Sequence, residues 1–198
     1  MENLLQVSNS TLYDRYPDVF SGISEIISHD GKNDNNLSIL SYGCSTGEEV
    51  RTLHEKYFPS ARITGTDIDS VSLEIAKRLA INNVSFKELN LVKQEGTKYD
   101  VIFCMSVLCR IFQSNMKEHP IAFSDFNNTL IELDSKLNVG GYFVIYNSNY
   151  SFLDSDIFDK FIGIRHHKIK KSFSEALMFT KELSLMFDDK VCIYKKIK

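Results

Sequence analysis

Short runs of apolar residues alternate along the chain with stretches in which apolar residues recur every three or four positions. The runs predict buried strands, and the recurring spacing predicts helices with one inward face. The predicted strands are 37–42, 61–66, 84–89, 99–105 and 142–146. The predicted helices are 9–29, 48–58, 71–80 and a longer one that begins at Ser124 and Asp125. Strand–helix alternation of this kind indicates an α/β fold with a doubly wound, mostly parallel sheet.

The pattern changes after residue 146, where two further strands are predicted at Phe161–His167 and Val191–Ile197. With them the sheet has seven strands, and the C-terminal strand is expected to be antiparallel. A chain of 198 residues is expected to form one domain. The polar segment 31–36 separates an N-terminal helical cap, residues 1–36, from the core, residues 37–198.

Local signals predict where two of the helices begin and end. Ser70 is expected to cap the helix 71–80, which turns Val71, Ile75 and Leu79 inward. In the long helix, Leu130, Leu133 and Leu137 are expected to face the core. The pair Gly140–Gly141 is expected to end that helix.

The most informative segment runs from Leu37 to Val50, where an apolar strand leads into a turn with Gly43 and Gly47. Open α/β sheets bind ligands at the carboxyl ends of their strands, where this turn lies. Asp67 stands twenty residues after Gly47, at the end of the second strand. An acidic residue at that place is suited to accept hydrogen bonds from ribose hydroxyls. The segment therefore predicts a site for a nucleoside-containing cofactor.

The residues after the turn help to choose the cofactor. A dinucleotide site favours Gly-x-Gly-x-x-Gly with a pyrophosphate on the helix N-terminus, whereas this turn has Gly-x-x-x-Gly followed by Glu48 and Glu49. Two carboxylates would repel a pyrophosphate but suit the sulfonium and ammonium of S-adenosylmethionine (SAM). The alternative is that these glutamates only stabilise the first helical turn. We expect SAM to be the cofactor, with Glu48 facing its methionine end.

Composition excludes several other classes of protein. The N-terminus lacks the pattern of a signal peptide, and no apolar run is long enough to span a bilayer. The four cysteines have no Cys-x-x-Cys spacing and no nearby histidine pattern for zinc. We therefore expect a cytoplasmic protein with reduced thiols, no metal and no membrane partner. The oligomeric state is left open.

Positive charge is concentrated near the C-terminus, in a chain whose net charge is −3. Residues 164–198 contain nine basic and four acidic residues, including the cluster 165–171. Such a cluster can contact phosphates, but lysines on a solvated edge strand also discourage aggregation. We favour the second interpretation and do not expect a nucleic-acid partner.

Five segments of residues 37–146 together resemble the class I SAM-dependent methyltransferases, and most of all the catalytic domain of the chemotaxis-receptor (CheR-type) enzymes. They are Cys44-Ser-Thr-Gly-Glu-Glu49, Thr66-Asp-Ile-Asp69, Val84–Leu91, Tyr99–Cys104 and Leu137–Phe143. The resemblance implies a Rossmann-like core, in which Asn90 and Leu91 lie against the adenine. The residues expected to bind the cofactor are Tyr42, Gly43, Cys44, Ser45, Thr46, Glu48, Asp67, Ile68, Asn90, Leu91, Cys104 and Met105.

The segment after the fourth strand departs from the CheR-type pattern. That family usually has Cys-Arg-Asn-Val there, whereas this chain has Cys104-Met-Ser-Val107, and Arg110-Ile111 replaces an aromatic pair. Receptor-glutamate methylation is therefore not carried over, and the acceptor is expected to be a small molecule or a protein side chain. A SAM-binding module without catalysis and a nucleic-acid methyltransferase remain as alternatives.

Acceptor contacts are expected from three segments outside the matched blocks. These are Tyr13–Tyr16 in the cap, Met105–Ser124 after the fourth strand and Tyr146–Tyr150 after the fifth. Methyl transfer needs collinear donor and acceptor more than it needs a fixed set of catalytic groups. The candidate catalytic residues are Tyr13, Arg15, Arg110 and His119.

Overall fold

A seven-stranded sheet forms the centre of the protein. The computed structural model describes residues 10–110, 120–169, 178–183, 185–186 and 191–198. The sheet has the order β3-β2-β1-β4-β5-β9-β6. Its strands are β1 Ser38–Tyr42, β2 Arg62–Asp67, β3 Val84–Glu88, β4 Tyr99–Met105, β5 Leu137–Tyr146, β6 Phe161–Ile164 and β9 Ile193–Lys196. The first five strands are parallel, and β9 runs antiparallel to both β5 and β6. The predicted fold class is confirmed.

Five α-helices accompany the sheet in the described ranges, and a separate hairpin joins β7 Met178–Phe179 to β8 Leu185–Met186. The helices are α1 Pro17–His29, α2 Glu48–Thr52, α3 Ser70–Lys77, α4 Leu89–Gln94 and α5 Phe123–Lys136. After Thr52, α2 continues as one π-helical turn, Leu53–Tyr57. Short 3₁₀ turns lie at Asp34–Asn36, Phe152–Asp154 and Phe158–Lys160.

The two faces of the sheet carry two separate apolar layers. On one face, α1, α2 and α3 pack through residues such as Phe20 and Leu53 against Phe103 of β4. On the other face, α5 packs through residues such as Leu130 against Ile102 and Phe143. Neighbouring residues of β4 thus point to opposite layers, and both are fully buried. This explains why 99–105 reads as a continuous apolar run.

The start and the inward face of α3 differ from the prediction. Asp69, not Ser70, caps the helix, and its carboxylate accepts hydrogen bonds from the backbone N–H groups of Val71 and Ser72. Val71 and Ile75 are 67% and 45% exposed, whereas Ser72, Leu73 and Ala76 are buried. Ala76 and the partly buried Leu79 face the glycine turn, since a Cβ on Gly47 would lie 3.1 and 2.8 Å from their side chains. Of the predicted stripe Val71, Ile75 and Leu79, only Leu79 therefore faces inward.

The boundary between α5 and β5 also differs from the prediction. The helix ends at Lys136, and Leu137 is already the first residue of β5, where it pairs with Tyr99. Gly140 and Gly141 lie inside the strand, at an irregularity in which the register with β4 shifts between Tyr99 and Val101. Gly140 has φ +78°, which favours glycine. The glycine pair therefore serves a strand bulge rather than a helix end.

Other elements are shorter than expected. Helix α1 begins at Pro17, and β3 gives way to α4 at Leu89. Strand β6 ends at Ile164 instead of continuing to residue 167. The segment 165–169 after it lies against α1, where the side chain of Ile169 packs with the apolar layer on that face. Residues of α1 and of the segment after β6 are therefore close together.

Candidate cofactor crevice

The cofactor loop, residues 43–47, lies at the carboxyl end of β1 and is tied to the end of β2. The backbone N–H groups of Gly43 and Cys44 both donate to the carbonyl of Thr66, at 2.8 and 2.9 Å. Gly43 has φ +79°, and a Cβ there would lie 2.4 Å from Val107. Gly47 has φ +94° and immediately precedes α2. Glycine is needed at both positions because the turn combines left-handed backbone with close neighbours.

Asp67 lies against this loop and uses both carboxylate oxygens to hold backbone. Its Oδ2 accepts the N–H of Ser45 at 2.7 Å, and its Oδ1 accepts the N–H of Asp69 at 2.9 Å. The side chain is partly exposed. A carboxylate offers about four lone-pair positions, so it can still accept hydrogen bonds from a ligand. The acidic residue and the loop that the sequence singled out thus meet at one strand edge.

Apolar side chains next to Asp67 remain open to solvent. Ile68 is 41% exposed and Leu91 is 50% exposed. Asp67 pairs in register with Glu88, so the residues that follow β2 and β3 emerge side by side at the same edge. Asn90 is exposed there as well. An apolar rim beside a hydrogen-bonding carboxylate suits a flat, partly apolar ring joined to a ribose.

The two glutamates of the cofactor crevice have different surroundings. Glu48 accepts a hydrogen bond from the hydroxyl of Thr46 at 2.6 Å. Glu49 lies deeper and accepts one from Ser41 of β1 at 2.8 Å. Removal from water raises the pKa of Glu49 to about 7, although the Ser41 hydrogen bond and the charge of Arg15 act in the opposite direction. The deeper carboxylate therefore exchanges a proton near neutral pH.

The remaining predicted cofactor residues are buried in the two apolar layers, Cys44 and Met105 in the layer with α1 and Tyr42 and Cys104 in the layer with α5. Tyr42, Cys44, Cys104 and Met105 are all at least nine-tenths buried. Burial raises the pKa of Cys44 well above its usual value, and the nearby carboxylate of Asp67 adds to this effect. Burial also raises the pKa of the Cys104 thiol. These thiols are packing groups and not nucleophiles, because a nucleophilic cysteine needs a lowered pKa.

Three side chains from distant parts of the chain meet where β4 and β5 end; we call them the Tyr16 cluster. The hydroxyls of Tyr16 and Ser106 lie 2.7 Å apart. Asn147 donates from Nδ2 to Ser106 at 2.9 Å and to Tyr16 at 3.3 Å. Ser106 and Asn147 have φ values of +58° and +54°. Left-handed backbone at two adjacent strand ends is costly for residues other than glycine and is typical of functional sites.

The four candidate catalytic residues have different locations. Tyr13 donates to Glu55 at 3.0 Å, on the outer side of α2. Arg15 lies over the ring of Tyr16, with its guanidinium carbon 5.1 Å from the ring centroid. The backbone of Arg110 is held by Asn149, whose Oδ1 accepts its N–H at 2.7 Å. His119 lies outside the described residues.

The residues that sequence reasoning did not single out are Ser106 and Asn147. Both belong to segments expected to contact the acceptor, and Tyr16 belongs to the third such segment. Their convergence depends on the register in which Met105 pairs with Tyr146. The only signal in the sequence was that each follows the end of a predicted strand.

Four of the five lysines that the structure describes in residues 164–198 are paired with carboxylates. Lys168 pairs with Glu25, Lys195 with Asp30, Lys196 with Asp134 and Lys198 with Asp159, whereas Lys181 lies over the ring of Phe123. Such pairing lowers the positive potential that a phosphate backbone would require. In the same described ranges, no helix has the length and apolar content needed to cross a bilayer.

Comparisons with known proteins give the following likenesses. A ribosomal protein L11 methyltransferase of Fusobacterium nucleatum is 33% identical over 76 residues, which cover 35% of this chain and 24% of that protein. PKMT2 from Rickettsia typhi has 24% identity and a TM-score of 0.48, covering 66% of this chain and 24% of that one. The plantazolicin methyltransferase BpumL, solved with SAH, has 20% identity and a TM-score of 0.47, covering 65% and 45%.

This chain thus spans about a quarter of the length of the L11 methyltransferase and of PKMT2. The acceptors that those proteins methylate are not assigned to this chain. A family profile described as a methyltransferase domain covers more of the chain, because it matches residues 33–191. That range includes the cofactor loop, Asp67 and every strand of the sheet except β9. The chain belongs to the methyltransferase-domain family, whose methyl donor is S-adenosylmethionine.

Proposed function

We propose that this protein transfers a methyl group from SAM, bound in the cofactor crevice, to an acceptor held at the Tyr16 cluster. The acceptor class is a small molecule or a protein side chain. The observation that carries the proposal is the pair of hydrogen bonds by which Asp67 holds Ser45 and Asp69. They fix a carboxylate beside a glycine-containing loop at the carboxyl strand edge, where a ribose is bound in folds of this type.

The residues of the crevice suit the parts of SAM in a definite order. Asp67 would accept hydrogen bonds from the ribose hydroxyls, while Ile68, Asn90 and Leu91 would border the adenine. Glu48 and Glu49 place negative charge at the start of α2, which favours the ammonium and sulfonium groups of the methionine end. Arg15 would face the carboxylate of the same end.

Methyl transfer from a sulfonium is an in-line displacement on an activated methyl group. SAM supplies that methyl group, and the protein must align the acceptor and exclude water. The Tyr16 cluster is suited to the first task because its hydroxyls and amide can orient an oxygen or nitrogen nucleophile. The ring of Tyr146 lies 4.9 Å from that of Tyr16 and borders the same place. An apolar ring there helps to keep water away from the reacting atoms.

The likeness to CheR-type enzymes enters the proposal only as a relationship of the cofactor motifs. The segment that differs from the CheR-type pattern, Met105–Arg110, contains Ser106 of the Tyr16 cluster. We therefore propose that the change in sequence accompanies a change of acceptor. Methylation of nucleic acid is disfavoured by the paired lysines of the basic region.

Two measurements test the proposal together. Calorimetry should show that the protein binds SAM and S-adenosylhomocysteine, and that it binds NAD much more weakly or not at all. The protein is also incubated with methyl-labelled SAM and cell extract, and the products are separated into small-molecule, protein and nucleic-acid fractions. The label should appear in the small-molecule fraction or in the protein fraction. Tight NAD binding without SAM binding contradicts the proposal. SAM binding with no turnover in any fraction would instead indicate a binding module without catalysis.

Tyr16→Phe separates donor binding from acceptor alignment, because it removes one hydroxyl from the cluster and keeps the ring. We expect SAM affinity to change by less than about threefold, whereas turnover falls by about tenfold or more. Tyr13→Phe is the matched control, since that hydroxyl bonds to Glu55 on the outer side of α2. Equal turnover in the two variants would remove the Tyr16 cluster from the proposal.

A further inference from the structure

Three side chains of types that commonly bind metal ions converge beside α1. None of them belongs to the cofactor loop or the Tyr16 cluster. Glu25 lies in α1, and His166 and His167 lie in the segment after β6. One ligand atom from each residue lies within 4.8 Å of the corresponding atoms of the other two. The two imidazole rings are 4.4 Å apart, measured between their centroids. Residues far apart in the sequence therefore present two imidazoles and a carboxylate to one point.

Close packing on α1 holds His166 in place. A Cβ added to Gly22 would lie 3.2 Å from Nδ1 of His166 and 3.1 Å from Cγ1 of Ile169. Glycine at residue 22 therefore favours this close approach, because a Cβ there would make contacts tighter than usual. The N–H of Ile169 donates to the carbonyl of His166 at 3.1 Å, which closes the turn. The two parts of the cluster are thus held together by packing that does not involve the ligand atoms.

The charges around the cluster leave one carboxylate oxygen directed at the histidines. Oε2 of Glu25 lies 3.3 Å from Nε2 of His166, while the ammonium of Lys168 pairs with Oε1. The Lys168 hydrogen bond is the main cause that lowers the pKa of Glu25. Burial lowers the pKa of His166, and the neighbouring His167 adds to the effect.

We propose that Glu25, His166 and His167 form a binding site for a divalent transition-metal ion of the Zn²⁺ type. Two imidazole nitrogens and one carboxylate oxygen are a preferred ligand set for such ions, whereas Mg²⁺ and Ca²⁺ prefer oxygen ligands alone. Tetrahedral metal–ligand bonds of about 2.0–2.2 Å place the ligand atoms roughly 3.3–3.6 Å apart. Glu25 and His166 already have this separation, at 3.3 Å, and the other ligand atoms lie within 4.8 Å, so metal binding requires the exposed side chain of His167 to move closer. Water would complete the coordination.

Binding requires one proton to change position. Nδ1 of His166 accepts a long hydrogen bond of 3.4 Å from the N–H of Lys168, so the ring proton is on Nε2 in the neutral form. To bind a metal through Nε2, the imidazole carries its proton on Nδ1 instead, and the contact with Lys168 is lost. That contact is at the limit of hydrogen-bond length, so little stabilisation is given up.

The ion would join α1 to the segment after β6. Because it binds only the folded arrangement, it should raise the thermal stability of the protein. The four cysteines are buried and do not offer a competing surface site. The effect is independent of SAM, so it can be measured without an acceptor.

The test uses the purified chain without an affinity tag and titrates it with ZnCl₂ and, for absorption spectra, CoCl₂. Wild-type protein should bind about one equivalent and show ligand-field absorption bands with Co²⁺. Glu25→Gln and His167→Ala should each lower the affinity by about tenfold or more. His54→Ala, which removes a histidine from the π-helical turn, is the control and should bind as the wild type does.

Lys168→Met supplies an independent check, because it removes a positive charge from the same carboxylate. We expect Zn²⁺ to bind more tightly by about threefold, since an ammonium no longer competes for Glu25. The proposal is overturned if the wild type binds no Zn²⁺ at millimolar concentration. It is also overturned if Glu25→Gln and His167→Ala bind Zn²⁺ as tightly as His54→Ala does.

Discussion

The carboxylate of Asp67 holds the cofactor loop through Ser45, and we propose that it also binds the ribose of SAM. Asp67→Ala should therefore weaken SAM binding by several-fold to about a hundredfold, corresponding to about 1–3 kcal/mol for lost acceptor groups. Calorimetric titration measures the change. Asp159→Ala is the matched control, because that carboxylate is exposed and pairs only with Lys198 in the described structure. Unchanged affinity in Asp67→Ala would exclude this residue from the cofactor site.

Glu49 makes the stability of the ligand-free protein depend on pH. Its pKa is about 7 in the folded protein and 4.5 as the ordinary value. Between these values the folded state retains a proton that the unfolded chain has released, so stability falls as pH rises through this window. Glu49→Gln removes that loss and should be more stable than the wild type above pH 7, by at most about 3 kcal/mol.

Urea unfolding at a series of pH values tests this prediction. The difference between wild type and Glu49→Gln should disappear toward the acid end of the window. Ser41→Ala removes the hydrogen bond that lowers the pKa of Glu49. The loss of stability should therefore extend to higher pH in this variant. Parallel profiles for wild type and Glu49→Gln would show that this carboxylate is not the titrating group.

At the scale of elements, α3 depends on Asp69 for its N-terminal cap. Asp69→Ala removes acceptors used by Val71, by the backbone of Ser72 and by its hydroxyl. We expect a loss of about 0.5–2 kcal/mol in the free energy of unfolding. Ser70→Ala, the position that the sequence favoured as the cap, should change it by less than about 0.5 kcal/mol. Thermal or urea unfolding compares the two, and the reverse order would restore Ser70 as the cap.

The sequence was sufficient for those parts of the fold that are encoded locally. The first strand, the glycine turn and the acidic residue at the end of β2 are each recognisable from a few neighbouring residues. The cap of α3 was missed because Asp69 and Ser70 are adjacent and both are good caps. The Gly140–Gly141 pair was misassigned because glycine marks helix ends and strand bulges alike.

The Tyr16 cluster could not be predicted in the same way. Its three members come from the cap, from the end of β4 and from the end of β5. Their meeting requires both the β4–β5 register and the docking of α1 on the sheet, which are properties of the folded chain. Sequence reasoning therefore found the three segments but singled out Arg15, Arg110 and His119 instead of Ser106 and Asn147.

At the scale of the molecule, a buried ion pair fastens β9 to the end of α5. The side chains of Lys196 and Asp134 are 10% and 9% exposed, and Nζ of Lys196 also donates to the carbonyls of Asp134 and Leu137. Asp134 keeps a second partner in Lys160, whose ammonium lies 2.6 Å from Oδ2. Lys196→Met should therefore destabilise the protein by about 1–3 kcal/mol, the cost of lost hydrogen bonds to charged groups. Lys198→Met is the control, because its pair is 61% and 69% exposed, and should cost less than about 1 kcal/mol. Urea unfolding measures the free energy of unfolding of both variants. Equal losses would show that the buried pair of Lys196 and Asp134 stabilises the protein no more than the exposed pair does.

The position of β9 between β5 and β6 has a consequence for synthesis on the ribosome. Strand β6 is made before β9, yet in the described part of the chain β9 is the only strand that pairs with it. The backbone groups of Phe161–Ile164 therefore gain this partner strand only after Ile193–Lys196 has left the exit tunnel. The five parallel strands can pair before that point, whereas β6 and β9 complete the sheet after it. A nascent chain stalled before residue 193 should thus expose the edge of β5, where chaperones that bind extended apolar segments can act.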